Sequence, residues 1–527
     1  MTPLLKNQNK IASSYVILAL GIAVVSLFYS GFDWSNPSLT RDVQCGIMNQ
    51  DGRLISNSPK AIVVKGGGDP MELVQGTNNP IYSSAFYSPA GERTSAHWQP
   101  PLMANKYAEV FLCRGINGNQ LSDKLSGATK FLSNDIQLPI VSLMVESKSF
   151  FDPQQGIYVQ GNRWHESLNS NLFQSWFMKA GNYSFRGRNA IKSGYVQFFD
   201  HNKQVYYSDA VGIKIHGNAT RSFPQKSLRL IAKESLIKDP WGTKVESLIL
   251  RNGGNTWETT LIGDVIAQTV LANTDLMIQR GQPCVLLLNG YYWGIHNIRD
   301  RIKAKNLAIR FKCSEEDISI WEDWSLDVGN PKRGFGLNEM LNRISYDEVI
   351  SYKDLNKEID IEEFAQYILA QIFLGNTDWP TNNFAMYKVR KGKWHPIVSD
   401  LDFSLGYNDL LDPDENGFNR LLSSATVCQQ LFQELLKHKE FKKTLISTYE
   451  LYHDLGVFDT QNFHEIVKSV SGKVEEELPR HIKRWRKIRS IEDWETNLLA
   501  MGKFYENRAV QFEISFEQLL LDEKFFR

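Results

Sequence analysis

Apolar positions change their spacing along this chain of 527 residues, and the changes divide it into parts. Residues 41–132 carry short apolar runs between clusters of Gly, Pro, Ser and Asn, a pattern typical of strands in a small β-sandwich-like module. Residues 133–410 mix strand patterns with helix patterns, and residues 411–527 show mainly the spacing of helices. With an N-terminal segment at 1–40, the pattern predicts an α+β fold that ends in a helical C-terminal lobe.

The same spacing predicts individual elements. Predicted strands include Leu138–Val145, Phe384–Val389 and Trp394–Asp400. Predicted helices include Trp257–Ala272, Ile361–Leu374, Cys428–Lys439, Lys443–Leu455, Asn462–Arg489 and the residues from Trp494 to the end. The succession of helices after residue 410 indicates a lobe in which apolar helix faces pack against each other.

The N-terminal segment contains 22 uncharged, mostly apolar residues between Lys10 and Asp33. A helix of about 20 such residues spans a bilayer, and Lys6 and Lys10 place the preceding end in the cytoplasm. We therefore predict a single-pass membrane anchor that leaves the bulk of the chain outside the cytoplasm. A cleaved signal peptide is the alternative, although the segment lacks an A-x-A cleavage pattern, and a buried core helix is a further one.

Composition narrows the function classes. The chain has 59 Lys and Arg against 59 Asp and Glu, so no basic field indicates nucleic acid as a partner. Its five cysteines form no C-x-x-C pair, which argues against a zinc ribbon, and their sparse, odd number argues against a disulfide scaffold. A hydrophobic share of 42% supports a sizeable buried core.

One lysine lies in phase with apolar residues. Residues 212–230 are predicted to form a strand, a glycine-containing loop and a second strand, in which Lys226, Leu228 and Leu230 share one face. A lysine on an apolar face must find an anionic partner or lose its charge. Two interpretations follow: a lysine at a strand end whose ammonium group reaches water, or a phosphate-binding lysine beside a loop that offers backbone N–H groups.

A polar loop follows the helix predicted at Ile361–Leu374. It contains Asp378 and Asn383, five positions apart, and a predicted hairpin leads from it to Asp400 and Asp402. Protein kinases use the same order: a loop Asp orients the substrate hydroxyl, an Asn binds Mg²⁺, and a later Asp binds the metal that bridges the phosphates. The order therefore predicts a metal-dependent phosphoryl-transfer site.

Each part of this pattern also has another interpretation. A polar loop after a helix, or two Asp residues at a strand end, is often only a capped turn. Asp400 and Asp402 are also candidates for the acid/base pair of a glycosidase, which needs two carboxyl groups at a defined separation. Two side chains on one strand face do not straddle a sugar ring, however, so phosphoryl transfer is favoured.

Five ordered segments resemble the CotH family, kinase-like proteins named for a bacterial spore-coat protein. The segments are GNATRSFPQKSLRL (217–230), LILRNGGNTW (248–257), LLLNGYYWGIHNIRDRI (286–302), NTDWPTNNFAMYK (376–388) and WHPIVSDLDFSLG (394–406). The resemblance covers roughly residues 138–410 and implies a divergent protein-kinase-like core at 133–410. It further implies a kinase that uses ATP and Mg²⁺ or Mn²⁺ to phosphorylate Ser or Thr on a partner protein.

The resemblance implies roles for the residues of the polar loop and the acidic segment. Asp378 would be the catalytic Asp, and Asn383 and Asp400 would hold the metal. Asp402 would be a companion acid, either a second metal ligand or a group that orients the first.

The resemblance also places two residues near the nucleotide. Lys226 would face its phosphates, and Asp300 stands where relatives often carry an acidic residue. Relatives usually have Pro-Lys-Lys-Ser where this chain has PQKS (224–227), so one cation is missing here. The common kinase signatures H-R-D and D-F-G are absent as such.

The alternative function is a catalytically inactive surface or assembly protein. Its β-rich module at 41–132, together with the aromatic and basic insertion at 162–190, would bind polysaccharide or a coat component. The intact set of Asp378, Asn383 and Asp400 favours the kinase, because an inactive relative tends to lose at least one of these residues.

Overall fold

The computed structural model describes residues 71–73, 106–117, 120–170, 179–322, 325–329, 331–346 and 348–526. The predicted membrane anchor and most of the predicted β-sandwich-like module lie outside these residues. Among the residues described, no helix combines the length and apolar character needed to cross a membrane.

The chain folds into two compact units. Among the described residues, the first comprises those up to Lys238 and Cys284–Gly294, and the second comprises Asp239–Pro283 and those from Ile295 onward. The divisions between them fall inside the 133–410 segment, so each unit contains part of the predicted core.

The strands, in chain order, are β1 (Met71–Leu73), β2 (Ala108–Asn117), β3 (Gln120–Phe131), β4 (Ile140–Val145), β5 (Lys192–Phe199), β6 (Val205–Ile215), β7 (Leu228–Ala232), β8 (Ile237–Lys238), β9 (Lys244–Val245), β10 (Ser247–Arg251), β11 (Met277–Ile278), β12 (Gly281–Leu288), β13 (Tyr291–Arg299), β14 (Ile318–Glu322), β15 (Ser325–Val328), β16 (Ala385–Val389) and β17 (Trp394–Val398).

The α-helices are α1 (Ser147–Phe151), α2 (Gly161–Ser170), α3 (Gly263–Val270), α4 (Ala304–Arg310), α5 (Pro331–Ser345), α6 (Tyr352–Glu358), α7 (Ile361–Phe373), α8 (Gly417–Leu422), α9 (Val427–Leu435), α10 (Lys439–Asp454), α11 (Thr460–Val474), α12 (Leu478–Trp485) and α13 (Ile491–Leu521).

The first unit is organised around β4. All six residues of this strand are buried, as expected for a mostly apolar strand in the middle of a sheet. The strand pairs in parallel with Val285–Leu288 of β12 and antiparallel with β5, and β6 and β7 continue the sheet. A separate antiparallel sheet of β1, β2 and β3 lies in the segment for which the β-sandwich-like module is predicted.

The second unit contains a five-stranded sheet in the order β11-β17-β16-β14-β15. The β16–β17 pair is the hairpin predicted after the polar loop, with Ala385 opposite Ile397 and Lys388 opposite Trp394. Ile318, Ile320 and Ala385 from this sheet pack against apolar residues of α4 in one core cluster. The hairpin is therefore anchored on a buried face, which fixes where its two ends emerge.

Helix α7 is buried along most of its length, at eleven of its thirteen residues. The Asp360 side chain caps its first turn by accepting a hydrogen bond from the Glu363 N–H. Later in the helix the Tyr452 hydroxyl donates to the Gln366 carbonyl at 2.6 Å, and Arg508 Nη2 donates to the Ile372 carbonyl at 2.7 Å. These contacts hold the C-terminal end of α7, from which the polar loop starts.

Two predicted helices are interrupted. Instead of one helix over Trp257–Ala272, the chain forms a short 3-10 helix at Gly254–Glu258 and then α3. The predicted Asn462–Arg489 helix is divided into α11 and α12, and Pro479 lies in the first turn of α12. Proline is tolerated there because the first turn leaves its N–H positions without intrahelical partners.

Buried His481 gives a prediction about acid stability. Its Nδ1 accepts the Ile295 N–H at 3.0 Å, and burial together with nearby His296 lowers the pKa of His481 from 6.5 to about 3. The folded state therefore binds fewer protons than the unfolded state between these values, so the free energy of unfolding falls as the pH drops from 6.5 towards 3. We expect His481→Gln to lose stability less steeply over this range in urea unfolding.

The control is His201→Gln, because His201 is exposed in a turn. This variant should keep the wild-type pH dependence. If the free energy of unfolding depends on pH in the same way for wild type and His481→Gln, the role assigned to His481 is contradicted.

Candidate active site

The polar loop begins where α7 ends. Gly375 has a φ of 64°, a left-handed conformation that suits glycine and stops the helix. Next to it, buried Asn376 donates from Nδ2 to Gln371 Oε1 at 3.0 Å and accepts the Asp378 N–H on Oδ1 at 3.2 Å. Asn376 therefore fixes the backbone of Asp378 relative to the last turn of α7.

Two amides hold the Asp378 carboxylate. Asn383 Nδ2 donates to Asp378 Oδ2 at 2.8 Å, and Asn382 Nδ2 donates to Oδ1 at 2.7 Å. Asn383 has a φ of 62°, which asparagine tolerates better than most residues. The structure thus brings together the two loop residues that the sequence places five positions apart.

The segment that carries Asp400 is tied to this loop. Strand β17 ends at Val398, and Asp400 has a φ of 56°, so the predicted strand does not continue through Asp400. The Thr377 N–H donates to the Phe403 carbonyl at 3.2 Å, and the Thr377 hydroxyl donates to the same oxygen at 3.3 Å. These bonds join the loop and the acidic segment close to Asp378 on one side and Asp400 on the other.

Arg251, the last residue of β10, connects three carboxylates. Its Nη2 pairs with Asp400 and with Asp402 Oδ2, the latter at 2.5 Å, and its Nη1 lies 3.3 Å from Asp264 Oδ2. Burial alone lowers the pKa of Arg251, but the three carboxylates raise it well above its ordinary value. The guanidinium is therefore a permanent positive charge at the centre of this acidic cluster.

Asp400 and Asp402 lie in different environments, although the sequence predicted them on one strand face. The Asp400 side chain is 41% exposed, whereas that of Asp402 is 1% exposed and also accepts the Asn255 N–H at 2.8 Å. Burial and neighbouring Asp400 raise the pKa of Asp402 to about 7, against the opposite effect of Arg251. The burial of Asp402 also argues against the glycosidase interpretation, because an enclosed carboxyl group cannot contact a sugar.

Asp264 completes the cluster from the first turn of α3. Its Oδ2 accepts Arg299 Nη1 at 2.7 Å and its Oδ1 accepts the Leu401 N–H at 3.1 Å. Burial raises the pKa of Asp264, but Arg299 and Arg251 together hold it below its ordinary value. Asp264 therefore stays ionised and fixes the backbone between Asp400 and Asp402.

Lys226 belongs to the first unit and lies in the loop before β7, not within the strand as predicted. Its side chain is fully buried, and Nζ donates to the carbonyls of Arg221 and Phe223, each at 2.7 Å. The ring of Tyr183 lies 4.3 Å from the ammonium. Burial, and secondarily Arg221, lowers the pKa of Lys226. The interpretation in which this ammonium reaches water is therefore wrong, because backbone carbonyls and aromatic rings enclose it.

Asp300 lies in the second unit and forms a two-point ion pair with Arg280. Arg280 Nε and Nη2 lie 2.6 Å and 3.2 Å from the two carboxylate oxygens of Asp300. The guanidinium in turn stacks over Trp241 at 4.3 Å. Contact between Asp300 and a nucleotide stays a prediction from the sequence.

A second group of potential metal ligands lies at the opposite ends of α7 and β17. Ligand atoms of Asp360, Glu363 and His395 lie within 4.8 Å of one another. Asp360 already caps α7, and His395 Nδ1 lies 3.1 Å from Glu363 Oε1. The helix cap therefore already uses one of the three potential ligands.

Sequence reasoning missed the residues that surround Asp400 and Asp402. Arg251 and Asn255 lie in the segment 248–257, which carried the family resemblance but gave no role for either side chain. Arg251 meets Asp400 across 149 positions of the chain, a separation that no local spacing reveals. The one feature of the sequence that could have indicated this role is the position of Arg251 at the end of an apolar strand.

A comparison with protein families matches the model described as CotH kinase protein to residues 213–511, more than half of the chain. The chain belongs to the CotH kinase family. The match confirms the predicted resemblance and extends it through most of the helical lobe. No curated protein matches the sequence significantly.

Among solved structures, the chain matches the Helicobacter pylori proinflammatory kinase CtkA at 12% identity, over 64% of this chain and 94% of that one. The TM-score is 0.26, below what a shared fold requires, so the family assignment rests on the CotH match.

Gly254 provides a test of how tightly the acidic cluster is packed. It has a φ of 62°, and a Cβ atom there would overlap Asp402 Oδ2 and Arg251 Nη2. Both side chains are held in a buried network and cannot swing away without losing ion pairs. We therefore expect Gly254→Ala to lower the free energy of unfolding by about 1–3 kcal/mol more than backbone strain alone, as measured by urea unfolding.

Gly242→Ala is the matched control. Gly242 has a φ of 81°, and an added Cβ would meet no atom within 4 Å, so this variant reports only the strain of about 1–2 kcal/mol. If both variants lose the same free energy of unfolding, the side chains of the acidic cluster can move to accommodate the added methyl group, and the prediction is wrong.

Proposed function

We propose that this member of the CotH kinase family transfers the γ-phosphoryl group of ATP to Ser or Thr hydroxyls of a partner protein, with Mg²⁺ or Mn²⁺. The observation that carries the proposal is the hydrogen bond between Asp378 and Asn383, in a loop that Thr377 ties to the segment carrying Asp400. This arrangement matches the order of functional groups in phosphoryl-transfer sites of protein kinases. Membership of the family supports the same reaction class.

The available oxygen atoms fit a hard divalent cation. Carboxylate and amide oxygens are the ligands that Mg²⁺ and Mn²⁺ prefer. Asp400 is the exposed acid of the cluster, and Asn383 Oδ1 accepts no hydrogen bond from the residues that the structure describes. We therefore assign these two as ligands and Asp402, whose Oδ2 already accepts from Arg251 and Asn255, as an orienting group. Once bound, the cation supplies positive charge for the phosphate oxygens.

Asp378 would position the acceptor hydroxyl by accepting its hydrogen bond. The hydroxyl oxygen forms a bond to the γ-phosphorus while the bond from that phosphorus to the β–γ bridging oxygen breaks. ADP leaves, and the hydroxyl proton passes to a carboxylate oxygen of Asp378. Because Asn382 and Asn383 fix this carboxylate, alignment and charge rather than covalent chemistry would supply the rate.

Lys226 and Asp300 remain proposed nucleotide contacts. A phosphate could reach the Lys226 ammonium only if the loop around Arg221 and Phe223 opened, since their carbonyls occupy it. Asp300 would have to exchange Arg280 for a nucleotide group. Both roles are therefore secondary to those of Asp378 and Asp400.

The proposed place of action is a membrane surface outside the cytoplasm. Its support is the sequence between Lys10 and Asp33, and a surface polysaccharide as a further partner has its support in residues 41–132. Extracytoplasmic action would require a source of ATP on that side of the membrane.

The test is phosphate incorporation by the full chain. Wild-type protein is incubated with labelled ATP and Mg²⁺ or Mn²⁺, beside Asp378→Ala and Asp400→Ala. We expect incorporation that requires the metal and falls by about 10²-fold or more in both variants, because each removes a group used in the transition state. Asp414→Ala is the control: this exposed Asp of the second unit should leave incorporation unchanged.

Nucleotide binding separates the two functional hypotheses. Wild-type protein that binds ATP with metal but transfers no phosphate to itself or to protein acceptors would favour the inactive assembly protein. If the folded chain binds no nucleotide with either metal, the kinase proposal fails, and glycan binding becomes the next measurement.

A further inference from the structure

The contacts of Arg251 differ among its three carboxylate partners. Asp264 also binds Arg299, and Asp402 also binds Asn255, so both acids have a second donor that holds them. Asp400 has Arg251 as its one hydrogen-bond donor among the residues that the structure describes. Asp400 is therefore the partner that Arg251 can release without leaving a carboxylate unpaired in the interior.

Exposure divides the same three acids. The side chains of Asp264 and Asp402 are 3% and 1% exposed, whereas that of Asp400 is 41% exposed. A buried carboxylate that loses its partner is strongly destabilising, but a half-exposed one is solvated by water. Of the three ion pairs of Arg251, the one with Asp400 is consequently the least costly to break, because Asp400 is accessible to solvent.

Charge determines what happens to a cation that approaches Asp400. The guanidinium groups of Arg251 and Arg299 face the three carboxylates, and Arg251 is the one that contacts Asp400. A guanidinium group cannot be deprotonated in a protein, so Arg251 keeps its charge at any physiological pH. A cation that binds Asp400 meets a carboxylate whose Oδ1 already accepts Arg251, and it must tolerate the nearby positive charge of that guanidinium group.

We propose that Arg251 is a positioning residue that competes with the divalent cation for Asp400 while it holds Asp402 and Asp264 in place. This inference rests on the proposed function, which makes Asp400 a metal ligand. Because of this competition, the site has a lower affinity for the free metal ion than it would have without Arg251. Nucleotide phosphates that bind together with the metal carry negative charge, which offsets the positive charge of Arg251. The complex of metal and nucleotide is therefore favoured over the free cation.

The test measures Mn²⁺ affinity of the full chain without nucleotide, by the electron paramagnetic resonance signal of free Mn²⁺. Arg251→Gln removes the competing charge, and we expect it to bind Mn²⁺ about tenfold more tightly than wild type. A merely structural role would instead weaken binding, because a disordered cluster presents Asp400 less well. Asp400→Asn should abolish the tight binding in either background.

Arg251→Gln leaves two buried carboxylates with less compensation and could fail to fold. The double variant Arg251→Gln with Asp264→Asn removes one charge of each sign, so the cluster keeps its overall charge but loses the competitor. We expect the double variant also to bind Mn²⁺ more tightly than wild type, by a smaller factor. Arg343→Gln, which breaks an exposed ion pair with Glu348, is the control and should leave the affinity unchanged.

The outcomes separate this inference from the proposed function. If Asp400→Asn binds Mn²⁺ as wild type does, Asp400 is not a metal ligand, and both the metal site and this inference fail. If Asp400→Asn loses binding but Arg251→Gln and the double variant bind no more tightly than wild type, only the competition by Arg251 is overturned.

Discussion

The ion pairs around Arg251 are the interaction on which the candidate site depends. Asp264 and Asp402 are almost fully enclosed, and an isolated carboxylate in such a place would be neutralised or would destabilise the fold. Arg251 and Arg299 supply the opposite charge from strands β10 and β13, which pair with each other. The backbone between Asp400 and Asp402 is held because Asp264 accepts the Leu401 N–H.

A second constraint is mechanical. Helix α7 is apolar on nearly every side, and its burial fixes the point at which the polar loop begins. Hairpin β16–β17 leads out of that loop and back to Asp400, so both segments of the candidate site leave from anchored elements. Thr377 then joins the segments through the Phe403 carbonyl. A loop held in this way keeps Asp378 and Asn383 oriented before any ligand binds, which is what phosphoryl transfer by alignment requires.

The ammonium group of Lys226 has surroundings that its position in the sequence did not indicate. The sequence places it in a segment shared with the family, and its charge indicates phosphate. In the first unit, however, its ammonium is enclosed by carbonyls of its own loop and by Tyr183. The loop carbonyls replace water as partners, so this lysine stabilises the loop in the described conformation.

The sequence by itself determined the elements with strong local signals and the two loop residues whose side chains contact each other. Helix α7, the β16–β17 hairpin and the Asp378–Asn383 pair were all predicted, because apolar spacing and a separation of five residues are local properties. Local spacing also predicted a strand through Asp400, which is wrong: the strand ends at Val398 and the chain turns.

The partners of Asp400 and Asp402 were decided only by the tertiary structure. Arg251 reaches them from 149 and 151 positions away, and Asn255 from 147. Nothing in the local pattern separates a half-exposed Asp400 from a buried Asp402, because burial and charge balance depend on which distant residues pack around each carboxylate.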